Sequence, residues 1–423
     1  MKKQIKYLFI VCLLFASSKI YAQDLQNIEL QNKLASFASK HLTEKVYVHT
    51  DKSTYLNNEI CWFTIYSLDG FFNTPLTIST ICYVEILDDQ SQAVFQEKID
   101  MTNGMGNGSI AIPNNLPTGN YTIRAYTNWM KNFDAPFFFS KPIKLINTQI
   151  PIKNNEPTNK SNLLSIFPES GSLISGIANK VGLKLTKESG KGLSSSGWLI
   201  ADSKDTLTSF VTSDDGIGSL IFTPELGHQY TIKTKSSNGV ETTKVINGIQ
   251  EKGFHISVTE DKIKAQVQIE VFNNTNENAY LLIHTRGVLK KAFTLNKSIS
   301  NLVINDADLG NGINTITLFD HNKKPVSERL VFKYATNANL IQAYTEVNQL
   351  RAREKVNLKL QGINNELNDQ LNLSMSVYKL DSLQGIDETN IQNYIWLQSD
   401  LTEKVEQPLK YFDTTRLTRF IEM

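Results

Sequence analysis

The sequence is poor in the residues that build reactive centres. Only three cysteines occur in 423 residues, which excludes a disulfide-dense scaffold and a four-cysteine zinc site. The six histidines, His41, His49, His228, His255, His284 and His321, are scattered, with no two at metal-ligand spacing. There is no Gly-x-Ser-x-Gly elbow, no phosphate loop and no Cys-x-x-Cys. Asp306-Ala307-Asp308-Leu309-Gly310 suggests a calcium loop but lacks its downstream glutamate, and such clusters are ordinary turn chemistry. The expectation is a chain that is not an enzyme, with no catalytic constellation, cofactor or metal. Charge of one sign is also missing. With 43 Lys and Arg against 42 Asp and Glu, there is no basic excess of the kind a nucleic-acid partner needs.

Long apolar runs are scarce too. Met1-Lys2-Lys3-Gln4-Ile5-Lys6 is a basic start, Tyr7 to Ala16 is apolar, and Ser17 to Ala22 is a cleavage region. That is the layout of a secretory signal peptide over 1–22, so export, to the periplasm or outer membrane, is the expectation. No other stretch reaches the ~18 apolar residues that span a bilayer, so no transmembrane helix is expected in the mature chain. Cleavage removes four lysines and Cys12. Cys61 alternates with Phe63 and Ile65, and Cys82 with Val84 and Ile86, so both thiols point into one core. An oxidising compartment permits a disulfide between them, and two buried free thiols are equally compatible with the pattern.

What is present in quantity is repetition. Gly106-Asn107-Gly108-Ser109-Ile110, Pro113, Gly119 and Tyr121-Thr122-Ile123-Arg124 return as Gly216-Ile217-Gly218-Ser219-Leu220, Pro224, Gly227 and Tyr230-Thr231-Ile232-Lys233. A third echo runs from Leu309 to Phe319. The spacings, 108 and 85 residues, are those of an immunoglobulin-like sandwich and too long for a solenoid. A tyrosine after a glycine corner can bury its ring and tie its hydroxyl to nearby backbone.

Short alternating runs bounded by Asn, Gly, Asp or Ser begin at Lys45 and continue along the chain. The fold class is therefore all-β, tandem immunoglobulin-like sandwiches after a signal peptide and a short helix. Leu30, Leu34, Phe37 and His41 place that helix in a lead-in over 23–44. Sandwiches are expected over 45–148, 161–248 and 253–335. A Pro- and Asn-rich linker separates the first two at 149–160, and 339–423 forms a partial fourth β-domain with a C-terminal segment. Short linkers imply some relative motion.

One segment is dense in aromatics: Tyr126, Trp129 and Phe133, followed by Pro136-Phe137-Phe138-Phe139. Tyr126, Trp129, Phe133 and Phe137 are the candidate interaction patch, since such side chains anchor interfaces. Large aromatics more often close a core, and both readings stand at this point.

Lys45-Val46-Tyr47-Val48-His49-Thr50-Asp51-Lys52, with Tyr55, Glu59 and Trp62-Phe63, resembles the macroglobulin domain near the start of alpha-2-macroglobulin-like proteins. Asn58 stands where that family usually has glycine. Phe167-Pro168-Glu169-Ser170-Gly171-Ser172-Leu173 resembles the opening of a later domain of the same type, with Ser170 replacing a glycine. Leu318-Phe319-Asp320, Glu328 to Phe332 and Ser399-Asp400-Leu401 are similar to large exported proteins of Bacteroidota-type bacteria, in which such domains precede a TonB-receptor-like plug. The resemblance implies tandem macroglobulin-type sandwiches acting by protein–protein contact, with a protease or an outer-membrane component as partner. The family's Cys-Gly-Glu-Gln thioester tetrapeptide does not occur, so covalent trapping by this chain is excluded. Three functions follow as expectations: an endopeptidase-inhibitor-like contact, an accessory module of a TonB-dependent uptake system, or a carbohydrate-binding sandwich.

Overall fold

A computed structural model describes residues 32–36, 40–151, 161–237, 239–261, 263–334, 341–347, 349–362, 372–384 and 389–412. The signal-peptide expectation, Leu30 and Phe37 of the lead-in, and most of the 149–160 linker lie outside the described residues. Residues 32–36 are helical.

The first sandwich is built from β1 (Glu44–Thr50), β2 (Thr54–Leu56), β3 (Ile60–Asp69), β4 (Ile81–Leu87), β5 (Ala93–Asp100), β6 (Met105–Ala111), β7 (Gly119–Thr127) and β8 (Phe139–Ile146). Sheet β1-β3-β6 faces sheet β2-β8-β7-β4-β5. The second uses β9 (Leu163–Pro168), β10 (Leu173–Ile174), β11 (Asn179–Thr186), β12 (Ser195–Ala201), β13 (Asp205–Thr212), β14 (Ile217–Phe222), β15 (Tyr230–Ser236), β16 (Glu241–Ile246) and β17 (Ile249–Gln250). Its sheets are β9-β11-β14 and β13-β12-β15-β16, with β10 and β17 as a small parallel pair. The third comprises β18 (Phe254–Asp261), β19 (Gln266–Asn273), β20 (Ala279–Thr285), β21 (Val288–Leu295), β22 (Ile299–Asn305), β23 (Gly312–Phe319) and β24 (Pro325–Lys333), in sheets β18-β19-β22 and β21-β20-β23-β24.

All three share one topology. With the short strands β2, β10 and β17 set aside, the fourth of seven strands (β5, β13, β21) pairs with the strand before it, giving three strands against four. In the first sandwich β2 adds to the edge of the larger sheet; constant-type immunoglobulin domains instead keep that fourth strand with the first sheet. Each sandwich encloses its own apolar cluster, fed by period-2 strands such as β11, where Val181, Leu183 and Leu185 point inward.

The repeated phrase is the β6–β7 connection and its counterparts. A Cβ on Gly108 would stand 2.5 Å from the Phe63 ring, and Gly216 holds φ +77° with the Leu185 carbonyl 2.0 Å from where a Cβ would be. Only glycine fits either place. Tyr121 donates its hydroxyl to the Pro117 carbonyl at 3.0 Å, and the Tyr230 hydroxyl accepts from Glu225 N–H at 2.9 Å. In the third unit Asn314 stands where Tyr121 stands in the first. Its amide donates to the Gly310 carbonyl, again four residues back, at 2.8 Å. The corner is kept and the residue that ties it has changed.

The stretch that carries the family resemblance is likewise scaffold. Asp51 Oδ1 accepts from the Tyr55 hydroxyl (2.8 Å) and from Trp62 N–H (3.0 Å), while Lys52 pairs with Glu59 at 2.5 Å. Asn58 takes φ +64°, a left-handed conformation that asparagine tolerates where glycine is usual.

Beyond the third sandwich, β25 (Ile341–Thr345) and β26 (Leu358–Gly362) pair antiparallel, with Tyr344, Leu358 and Leu360 exposed. Residues 372–384 then lie along the first sandwich: Ser374 Oγ is 2.7 Å from His49 Nδ1, and Thr54 Oγ1 donates to the Leu383 carbonyl at 3.0 Å.

A short helix, α1 (Ile391–Trp396), opens a strap over 389–412 that reaches all three sandwiches. Asn390 caps it with a reciprocal pair of bonds to Asn393. Tyr394 enters the first core beside Tyr47 and Phe139, and Leu397 and Tyr411 join Ile313 and Phe332 of the third. Glu406 meets Lys184 (3.5 Å) and Gly192 N–H (3.2 Å), and Lys410 meets Asp215 (3.7 Å), all on the second. The second and third also touch directly. Glu169 pairs with Arg329 (3.3 Å), and Ser170 accepts from Ile256 N–H (2.7 Å), an inter-sandwich bond. The expectation of units moving about their linkers did not anticipate these contacts, which join residues far apart in sequence.

Candidate functional site

The aromatic segment forms two 3-10 turns, Trp129–Asn132 and Ala135–Phe137, between β7 and β8. Pro136, in the first turn of the latter, loses no hydrogen bond there. The four patch residues separate. Tyr126 is buried between Tyr83 and Phe138, with ring centroids at 5.5 and 4.6 Å, and donates to Glu85 Oε1 at 2.7 Å. Burial, and then the Glu85 carboxylate, push its phenol up to about 12. Trp129 is 42% exposed and donates its indole N–H to the Leu42 carbonyl at 2.7 Å. Phe133 and Phe137 turn to a recess of about 470 Å3 between the first and third sandwiches.

Phe71 and Met130 of the first sandwich, Ile313 of the third and Leu34 of the lead-in helix supply the rest of its apolar wall. One end is charged. The strap's Asp400 pairs with Lys45 of β1 and, at 3.4 Å, with Arg286 of the third sandwich. Burial pulls the Lys45 ammonium below its usual range, and Asp400 opposes that shift. Arg286 further donates to the Phe71 carbonyl (2.9 Å) and the Asn311 carbonyl (2.9 Å), and lies over the Trp396 ring at 5.2 Å. His284 accepts from Gly287 N–H at 3.3 Å, and burial lowers its pKa. The arrangement is an apolar pocket with a paired ionic end, suited to holding a partner's side chain.

Sequence reasoning named two of these lining residues, Phe133 and Phe137, and missed Lys45, Arg286 and Asp400 as a site. Lys45 and Asp400 are 355 positions apart, which no local pattern reveals. Arg286 did carry a signal. Thr285-Arg286-Gly287-Val288 is a two-residue hairpin loop with both central φ values positive (48° and 80°), a setting that favours Asn-Gly. The hairpin tip aims the arginine side chain at Phe71, Asn311 and Asp400.

Cys61 and Cys82 are both buried and free, so of the two sequence alternatives the structure takes the unbridged one. They lie on strands of opposite sheets, and Cys61 Sγ is engaged with the Tyr55 hydroxyl at 3.2 Å. Asp308 of the suggested calcium loop pairs with Lys291 at 3.1 Å. Among the described residues no group of three or more His, Cys, Asp or Glu could hold a metal ion, and no helix is long and apolar enough to cross a membrane.

No family model matches the chain, and no curated protein matches it in sequence. Among solved structures, Escherichia coli alpha-2-macroglobulin activated by porcine elastase is matched at 10% identity and a TM-score of 0.26, over 76% of this chain and 33% of that one. Dimeric latent PorU from Porphyromonas gingivalis is matched at 13% identity and 0.30, over 69% and 34%. The BSP domain of a biofilm associated protein is matched at 13% identity and 0.24, over 74% and 70%. The chain thus spans about a third of the length of the first two. The class defined by the sheets is an array of immunoglobulin-like β-sandwiches, and at these scores no property of the matched proteins transfers to it.

Proposed function

We propose that the chain is an exported, non-enzymatic array of macroglobulin-type β-sandwiches that works by protein–protein contact at or near the outer membrane. The observation that carries this reading is the recess where Phe133, Phe137, Phe71 and Ile313 converge beside the Lys45–Asp400–Arg286 cluster. Apolar and aromatic side chains in a concave site, with a few fixed polar groups, are what an interface anchor docks into. The partner class is a protease, held without thioester chemistry. A second reading, an accessory module of a TonB-dependent uptake system, is favoured by the similarity of Leu318-Phe319-Asp320 and Ser399-Asp400-Leu401 to plug-bearing exported proteins.

The test is capture from an outer-membrane extract with the mature chain and with Phe137→Ala, whose side chain is 40% exposed and can be removed at little cost to the fold. Wild type should retain a defined protease or receptor, and the variant should retain at least about tenfold less, as truncating an anchor worth ~2 kcal/mol predicts. Equal capture by both proteins would remove the recess from consideration.

A further inference from the structure

A second concave site lies on the outer face of sheet β1-β3-β6. We propose that it is a subsite for a neutral saccharide, centred on Trp62. The strand pleat builds it. Along β3, Cys61, Phe63 and Ile65 enter the core, so Trp62 and Thr64 face out. Register then sets two rows across the sheet: Trp62 stands opposite Ser109, and Thr64 stands between His49 and Asn107. Ser374 and Ser376 close one side through His49, at 2.7 and 3.4 Å. The resulting groove has a volume of about 410 Å3.

Its chemistry selects the ligand. Trp62 is 58% exposed, and its indole N–H meets no acceptor among the described residues. Around it stand hydroxyls and an amide: Thr64, Ser109, Ser374, Ser376 and Asn107, whose Oδ1 accepts from Thr64 at 2.9 Å. No lysine or arginine lines the groove, and the one imidazole, His49, is engaged with Ser374 and Ser376, so no fixed positive charge stands there to hold a phosphate or a carboxylate. The one carboxylate, Asp51, already accepts from the Tyr55 hydroxyl and Trp62 N–H. A wholly apolar ligand would bury the Ser109 hydroxyl and the Trp62 indole N–H without partners, at a cost. A neutral pyranose fits both demands: its C–H face covers the flat indole, and its edge hydroxyls reach the surrounding donors and acceptors.

The groove continues. A second recess of about 400 Å3 shares His49 and Ser374 with the first and is lined by Tyr66, Asn103, Asn372 and Asn390. Tyr66 is four residues beyond Trp62 on the same face of β3, ~13–14 Å along the strand. Two aromatic rings at that separation suit an oligosaccharide better than a single ring. This moves the carbohydrate reading away from Trp129 and Phe133, since the Trp129 indole N–H is engaged with Leu42 and Phe133 lines the inter-sandwich recess.

The experiment is a titration of the full mature chain with cellohexaose, maltohexaose and mannohexaose, read by calorimetry and tryptophan fluorescence. At least one sugar should bind. Trp62→Ala should weaken that binding at least about tenfold, Ser109→Ala should weaken it less, and Trp129→Ala should leave it unchanged. Melting temperatures should stay at the wild-type value in the Trp62 and Ser109 variants. Absence of binding for all three sugars up to about 10 mM, or binding that survives Trp62→Ala, overturns the proposal. So does affinity that collapses in about 0.5 M salt, because that would reveal a charged ligand site.

Discussion

A thiol inside a β-sandwich core reacts only when the core opens. Burial pushes both Cys61 and Cys82 up to about 12, so neither supplies thiolate at neutral pH. Both should resist alkylation in the native protein and label together on unfolding, and rapid labelling of either in buffer would contradict their placement. The four aromatics of the β7–β8 connection make a similar test. Tyr126→Ala removes a core ring and should cost ~3–5 kcal/mol, whereas Trp129→Ala should cost far less because its ring is partly solvated. Denaturant melts of the two variants decide it. The inward thiols were legible in the sequence because strand parity is local. The division of the aromatics between core and surface was not, since two 3-10 turns reset the side-chain direction between Tyr126 and Phe139.

At the scale of elements, the β18 edge where the second sandwich meets the third carries a buried histidine whose protonation should oppose folding. His255 lies 3.0 Å from Ser170 Oγ, and burial lowers its pKa. A depressed folded pKa means the imidazole is neutral when folded and takes up a proton on opening. Its stabilisation is present above the unfolded value near 6.5 and is lost as pH falls through the folded pKa. His284 of β20 acts in the same sense. Glu169 beside Arg329 is raised by burial, so its contribution runs the other way, largest at low pH and lost as pH rises through its folded pKa. His228, raised by its hydrogen bond to Asp202, opposes the two buried histidines in the same window, so the test is differential: between pH 7.5 and pH 5.5 the His255→Gln variant should lose less melting temperature than wild type. An unchanged slope in the variant would place the sensitivity elsewhere. The corners are also element-scale devices. The sequence echo revealed them through glycine and tyrosine, while the Asn314 substitute was invisible because a different residue makes the equivalent bond.

For the whole molecule, the contacts that matter most join distant parts of the chain. Asp400 serves Lys45 and Arg286 together, so Asp400→Asn leaves one buried and one half-buried cation without that counter-charge. Breaking a buried pair costs ~3–5 kcal/mol. The variant should melt earlier, chiefly through buried Lys45, and by small-angle scattering should expand as the first and third sandwiches part. Unaltered dimensions and melting would show that the cores alone fix the arrangement. Alternation and turn residues made the tandem sandwiches readable, because each unit is specified by its own short-range pattern. Nothing of that kind specifies how units meet, which is why the strap and the ionic cluster escaped.

The strap also gives the molecule a timetable. Domains generally close in the order they are synthesised, and residues 389–412 are made after all three sandwiches. Until they arrive, the first core lacks Tyr394, and Lys45 lacks the carboxylate that stands 355 positions further on. The second and third sandwiches can meet through Glu169–Arg329 and Ser170–Ile256 beforehand, whereas the ionic tie between the first and third waits for the strap.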